Sequence, residues 1–92
     1  MQDKNDNPEG RRAEIFPYGR IGSPAELGRA VRRRRREEGL TQAQAAGLCG
    51  VGTRFLSELE RGKPTAEIGR VLRVLAGLGL LLHVVPRGAG SE

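Results

Sequence analysis

Apolar positions recur at spacings of three and four between Leu27 and Leu78, in four blocks separated by glycines. That period predicts helices. The first block opens with Ser23-Pro24-Ala25-Glu26. Ser23 can cap, Pro24 suits the first helical position, and Glu26 completes a capping box. This helix carries Leu27, Ala30 and Val31 and stops at Gly39, a favoured left-handed terminator. Thr41-Gln42-Ala43-Gln44 is a second box, opening a short helix that ends near Cys49 with Gly50 as the turn. A third helix is expected from Gly52 or Thr53 to Arg61, closed by Gly62. A fourth follows Pro64-Thr65, carries Ile68, Val71, Leu72, Leu75 and Leu78, and is closed by Gly79. Its stripe reads as core, and so do Phe16, Phe55 and Cys49.

The pattern changes at Leu80–Val85 (LLLHVV), a short run bounded by Gly79 and Pro86. This is a strand signal. Leu80, Leu82 and Val84 fall on one face, with Leu81, His83 and Val85 on the other. A strand apolar on both faces needs cover on both sides, and a lone strand cannot satisfy its own backbone groups. Pairing with the same strand of a second chain supplies both, so a homodimer is expected. The expected organisation is a flexible N-terminal arm over residues 1–21, a folded domain over 22–85 and a flexible tail over 86–92. A short stretch around Ile15, Phe16, Tyr18 and Ile21 is expected to pack on the domain.

Composition narrows the function. The chain has 92 residues, enough for one domain, and a formal charge of +5 from 16 Lys and Arg against 11 Asp and Glu. Fourteen of the 16 are Arg, the residue suited to bidentate contact with phosphate or guanine. A basic chain this small suits a polyanion, nucleic acid before membrane. No apolar run approaches the roughly 20 residues of a membrane span. The polar start, MQDKNDNPEG, lacks a hydrophobic signal core, so a cytoplasmic protein is expected. With one cysteine, Cys49, and one histidine, His83, neither a cysteine-built metal site nor a Ser-His-Asp arrangement is suggested. No phosphate-loop motif occurs. We therefore expect no enzyme activity, no cofactor, no metal, no small-molecule substrate and no membrane partner. Without an aromatic stacking platform, RNA binding is disfavoured.

The short helices around Gly50 carry small apolar residues where helices cross, Ala45 and Ala46, a plug at Val51, and core positions Leu56 and Leu59. That leaves Thr53, Arg54, Ser57, Glu58 and Arg61 on one polar face. Two short helices joined by a glycine turn, the second with such a face, form the helix-turn-helix pattern that enters the DNA major groove. The arginine run Arg32–Arg36 cannot all face one side of a helix. Arg35 lies four residues after Val31, on the buried stripe, and must be paired there; the others read as a solvated face.

The segment LTQAQAAGLCGVGTRFLSELERGKP, Leu40 to Pro64, resembles the lambda-repressor-like (Cro/repressor, XRE) helix-turn-helix family. FLSELERGKPTAEIGRVLRVLAGLGL is similar to HipB-type antitoxins, which pair with HipA-type kinase toxins. The likeness spans about Gly22 to Val85. It implies an all-α, four-helix, lambda-repressor-like fold with the C-terminal strand pairing across a dimer. It implies that Gly52, Thr53, Arg54 and Ser57 form the base-reading face. Gln42 would bind a phosphate and could brace a reading residue, and Arg35 would form an internal ion pair with Glu60. Gly52 departs from the Ser, Thr or Lys usual there and offers no side chain to a base. Reading then rests on Thr53 and Arg54. Arg54 can pair with guanine, worth roughly 1–3 kcal/mol of discrimination; the plainer alternative is a phosphate contact. Lys63, just past the third helix, is a second phosphate candidate.

The leading expectation is a sequence-specific dimeric repressor on a palindromic operator in double-stranded DNA. By resemblance it would be the antitoxin of a type II module, repressing its own operon and neutralising a HipA-like kinase toxin. The alternatives are a phage-type or housekeeping repressor without a toxin, and a module whose main task is sequestering the toxin. Arg11, Arg12 and Arg20 would suit a minor groove.

Overall fold

The computed structural model describes residues 16–88. Within them the chain forms four α-helices: α1 (Pro24–Glu37), α2 (Gln42–Cys49), α3 (Thr53–Glu60) and α4 (Ile68–Gly77). The architecture is the all-α one that the periodicity predicts. Arg11, Arg12 and the final residues 89–92 lie outside the described residues.

Local chemistry places the helix ends. Ser23 caps α1, its Oγ accepting from the Glu26 N–H at 3.1 Å, and Pro24 occupies the first turn. The reciprocal half of the expected box is displaced: the Glu26 carboxylate accepts from Gly22 N–H, one residue before the cap. At α2 the box is complete. Thr41 Oγ1 accepts from Gln44 N–H at 3.1 Å, and Gln44 Oε1 accepts from Thr41 N–H at 2.9 Å. Gly50 follows α2 with φ +73°, a left-handed turn that a Cβ would oppose, and redirects the chain into α3.

The core is aliphatic and lies where the helices meet. Val31, Ala45, Ala46, Cys49, Leu56, Leu59, Val71, Val74, Leu75 and Leu78 are buried, with Leu27, Leu40, Val51, Phe55, Ala66 and Leu80 packed around them. α1 packs on α3, and α2 packs on both α3 and α4. Gly28 makes the first crossing possible: a Cβ there would sit 2.5 Å from the Leu59 carbonyl oxygen and 2.6 Å from that of Glu60. The α1 backbone therefore rests directly on the last turn of α3.

Two expectations about burial are corrected. Ile68 and Leu72 are exposed, because the core takes up Val71, Val74, Leu75 and Leu78 and these two lie to one side of that stripe. Phe16 is 45% exposed, since it precedes α1 and does not reach the core. The strand expected over Leu80–Val85 is not formed among the described residues. Leu80 packs against the core, its N–H donating to the Leu75 carbonyl at 2.8 Å. Beyond it Leu81, Leu82, Val84 and Val85 are exposed and carry no regular structure. A strand needs a partner for its backbone groups, and a single chain offers this segment none.

Candidate nucleic-acid interface

The interface begins with how α3 is held. Its inner face carries Leu56, Leu59 and Glu60, all buried. Glu60 is a carboxylate in the core, and it is fully engaged. Arg35 donates from Nε to Oε2 at 2.6 Å and from Nη2 to Oε1 at 2.9 Å, while its Nη1 donates to the Leu40 carbonyl at 2.9 Å. Gln42 Nε2 adds a bond to Glu60 Oε1 at 3.0 Å. Burial pushes the Glu60 carboxyl up, but the bonds from Arg35 and Gln42 and the arginine charge outweigh it, so its pKa falls below the ordinary carboxylate value. One cluster thus locks α1, the start of α2 and the end of α3 into a single body. Gln42 braces this internal acid and not a reading residue. Its amide nitrogen keeps a second hydrogen that a phosphate can accept.

The outer face of α3 is open. Gly52 caps the helix without a side-chain bond, its carbonyl accepting from Leu56 N–H at 3.1 Å. Gly52, Thr53 and Arg54 are exposed and Ser57 is half-buried. The Arg54 side chain is 92% exposed, so nothing from its own chain covers it. Arg61 Nη1 donates to Ser57 Oγ at 2.6 Å. Lys63, past the helix end, donates from Nζ to Glu58 Oε1 at 3.1 Å. An open groove of about 700 Å³ runs beside α3, lined by Arg54, Phe55, Glu58, Lys63, Arg70 and Arg73 among others. Positive charge therefore flanks a short exposed helix whose N-terminal turn is free, which is what a duplex groove with phosphate walls requires.

The helix-turn-helix domain family matches residues 26–87. The chain belongs to this family. A relative, the uncharacterized HTH-type transcriptional regulator y4mF of Sinorhizobium fredii, is 49% identical over 69 residues, spanning 75% of this chain and 91% of that protein. Two solved HipB structures share the fold. A complex of a HipB variant with an O2 20mer superposes with a TM-score of 0.69 at 25% identity, covering 75% of this chain and 96% of that one. The complex of HipB with an O4 20mer gives 0.69 at 23% identity, covering 75% and 97%. The resemblance to the XRE-type helix-turn-helix family holds, and the protein is a DNA-binding helix-turn-helix transcriptional regulator.

Several structural residues of this helix-turn-helix regulator were not read from the sequence. The arginine run divides by role. Arg32 and Arg36 are exposed, whereas Arg34 Nε donates to the Leu78 carbonyl at 2.7 Å, tying α1 to the end of α4. Arg33 stacks 4.7 Å from the Tyr18 ring centre, and it donates to the Pro17 carbonyl at 3.1 Å and to Glu37 at 2.9 Å. Tyr18 in turn donates its hydroxyl to Glu37 at 2.6 Å. The segment before α1 is thereby fastened along that helix, and Arg20 beside it is exposed. Glu58, placed by the helical period on the polar face and given no further role, accepts from both Arg54 and Lys63. The four-residue spacing of Arg54 and Glu58 is the signal that could have found it. Among the described residues, no helix is long and apolar enough to cross a membrane.

Proposed function

We propose that this regulator is a sequence-specific repressor that binds a palindromic operator as a homodimer, with α3 of each copy in the major groove. The exposed N-terminal turn of α3, mounted on the rigid Arg35–Glu60–Gln42 cluster, carries this reading. In it, Thr53 and Arg54 face base edges, Ser57 lies alongside, and Gln42 and Lys63 meet phosphates on either flank. Exposed Leu82 and Val84, in a segment without regular structure, support pairing of Leu80–Val85 with the same segment of a second copy. A two-fold pair would set two reading helices about 34 Å apart, one turn of B-DNA.

The likeness to HipB supports a further step: the protein is the antitoxin of a type II module, represses its own operon, and holds a HipA-like kinase toxin inactive. No catalytic role and no cofactor belong to this reading. The experiment is selection of duplexes from a randomised pool by the full chain, followed by footprinting on its own upstream region. A symmetric site present upstream is expected; binding without base preference would overturn the repressor reading. Co-purification of a kinase-like protein encoded next to this gene tests the antitoxin step. A chain that represses but captures no such kinase is a phage-type or housekeeping repressor.

A further inference from the structure

Glu58 presents a physical puzzle. It is an acid on the face turned to DNA, where it repels phosphate. It also follows Arg54 at i,i+4, and the reverse order, acid before cation, is the more stabilising one in a helix. DNA affinity does not explain it, and the i,i+4 pair in this order adds little to helix stability.

Its geometry does explain it. Glu58 Oε2 accepts from Arg54 Nε at 3.3 Å, and Oε1 accepts from Lys63 Nζ at 3.1 Å. The Glu58 side chain is 23% exposed and the Arg54 side chain 92%. The acid is therefore the better-held partner, anchored from its other oxygen by a lysine outside the helix. A guanidinium carries one N–H on Nε and two on each terminal nitrogen. With Nε occupied, the outward Nη1 and Nη2 edge stays free, and that edge matches the O6 and N7 acceptors of guanine.

We propose that Glu58 is a positioning residue for base reading: it fixes Arg54 through Nε so that the Nη1/Nη2 edge meets a guanine end-on. This rests on the reading that Arg54 contacts a base. It commits to one approach, because a side-on approach would need the Nε–H that Glu58 holds. It also assigns the acid a cost and a return. Glu58 weakens attraction to any duplex and sharpens the choice among duplexes.

The test uses full-length R54A, E58A and E58Q on a duplex selected by the unaltered protein, its single-base variants, and a scrambled duplex. R54A is expected to relax the preference for guanine at one position in each half-site. E58A should relax that same position by about two- to twelvefold, the factor equivalent to ordering one rotamer-rich side chain. It should also bind the scrambled duplex more tightly than the unaltered protein does. E58Q, which keeps an acceptor oxygen but no charge, should fall between. If R54A relaxes a position that E58A and E58Q leave sharp, the buttress is overturned and Arg54 reads unaided. If E58A relaxes a different position, Glu58 reads a base itself and the proposal falls. If R54A relaxes no position, the underlying reading of Arg54 fails and the buttress fails with it.

Discussion

Arg35 on α1 grips Glu60 at the end of α3 with two hydrogen bonds, 2.6 and 2.9 Å long. The pair is internal, with side chains 11% and 3% exposed. It joins α1 to the end of α3, so on the proposed reading the geometry of DNA contact depends on an interaction that touches no DNA.

Removing one partner leaves a charge without its counterion. Glu60→Ala should destabilise the fold by about 3 kcal/mol, the lower end of the range for broken buried pairs, because the guanidinium keeps some access to water. Chemical denaturation of both proteins at neutral pH checks this. Acid should mimic part of the loss. A carboxylate whose pKa falls on folding contributes stability above its unfolded value, about 4.3 for glutamate, and loses it as pH drops through the folded value. The unaltered chain should therefore lose stability below about pH 4 more steeply than Glu60→Gln. Equal slopes would mean that Glu60 gains nothing from its partners.

Gly28 is the second support of the α1–α3 crossing. A methyl group there meets two carbonyl oxygens of α3 at 2.5 and 2.6 Å. Since the obstruction is backbone, relief requires the helices to move apart. Gly28→Ala should lower stability by roughly 1–3 kcal/mol, read as a shifted thermal midpoint, although alanine is intrinsically the better helix former. An unchanged midpoint would show that the crossing is more open than described.

Lys63 and Arg54 should separate under salt. On the proposed reading Lys63→Ala removes a phosphate contact: it should weaken a nonspecific duplex and reduce the slope of log affinity against log salt by about 0.9. Since Lys63 also holds Glu58, any extra loss on the selected duplex should stay within that of E58A. Arg54→Ala should instead weaken the selected duplex by about 1–3 kcal/mol more than a scrambled one. Titrations at several salt concentrations distinguish the two. Equal losses on both duplexes for Arg54→Ala would reduce that residue to a phosphate contact.

The dimer prediction concerns Leu82, 60% exposed in the single chain. Leu82→Asp places a charge where two copies would pair and should yield monomers in sedimentation at concentrations where the unaltered protein is dimeric. Folding of the monomer should persist, since Leu82 is not among the buried core residues. A persistent dimer would move the interface away from this segment.

Helices were legible in the sequence wherever the deciding groups are near neighbours. The Thr41–Gln44 box and the turn at Gly50 act over a few residues, and both are formed. The Ser23 cap was equally local and is formed, but the Glu26 carboxylate accepts from Gly22 N–H, one residue before the cap. The exposed face of Thr53 and Arg54 followed from the helical period. Harder to read was anything that period alone cannot decide. Ile68 and Leu72 fit the stripe of α4 as well as Val71 and Leu75 do, yet only three-dimensional packing decides which are covered. Tyr18 lies outside any period, and its fastening to Arg33 and Glu37 joins residues 15 and 19 positions apart. The strand at Leu80–Val85 depends on a partner that a single chain does not contain.

The central claim is that α3 enters the major groove of DNA, twice per dimer. Methylation protection at guanine N7, which opens only into that groove, tests it most directly on a selected duplex. The account predicts protected guanines in two half-sites about 10 base pairs apart, the protection lost in Arg54→Ala. Guanines that stay fully reactive under bound protein, with protection confined to the minor groove, would contradict it.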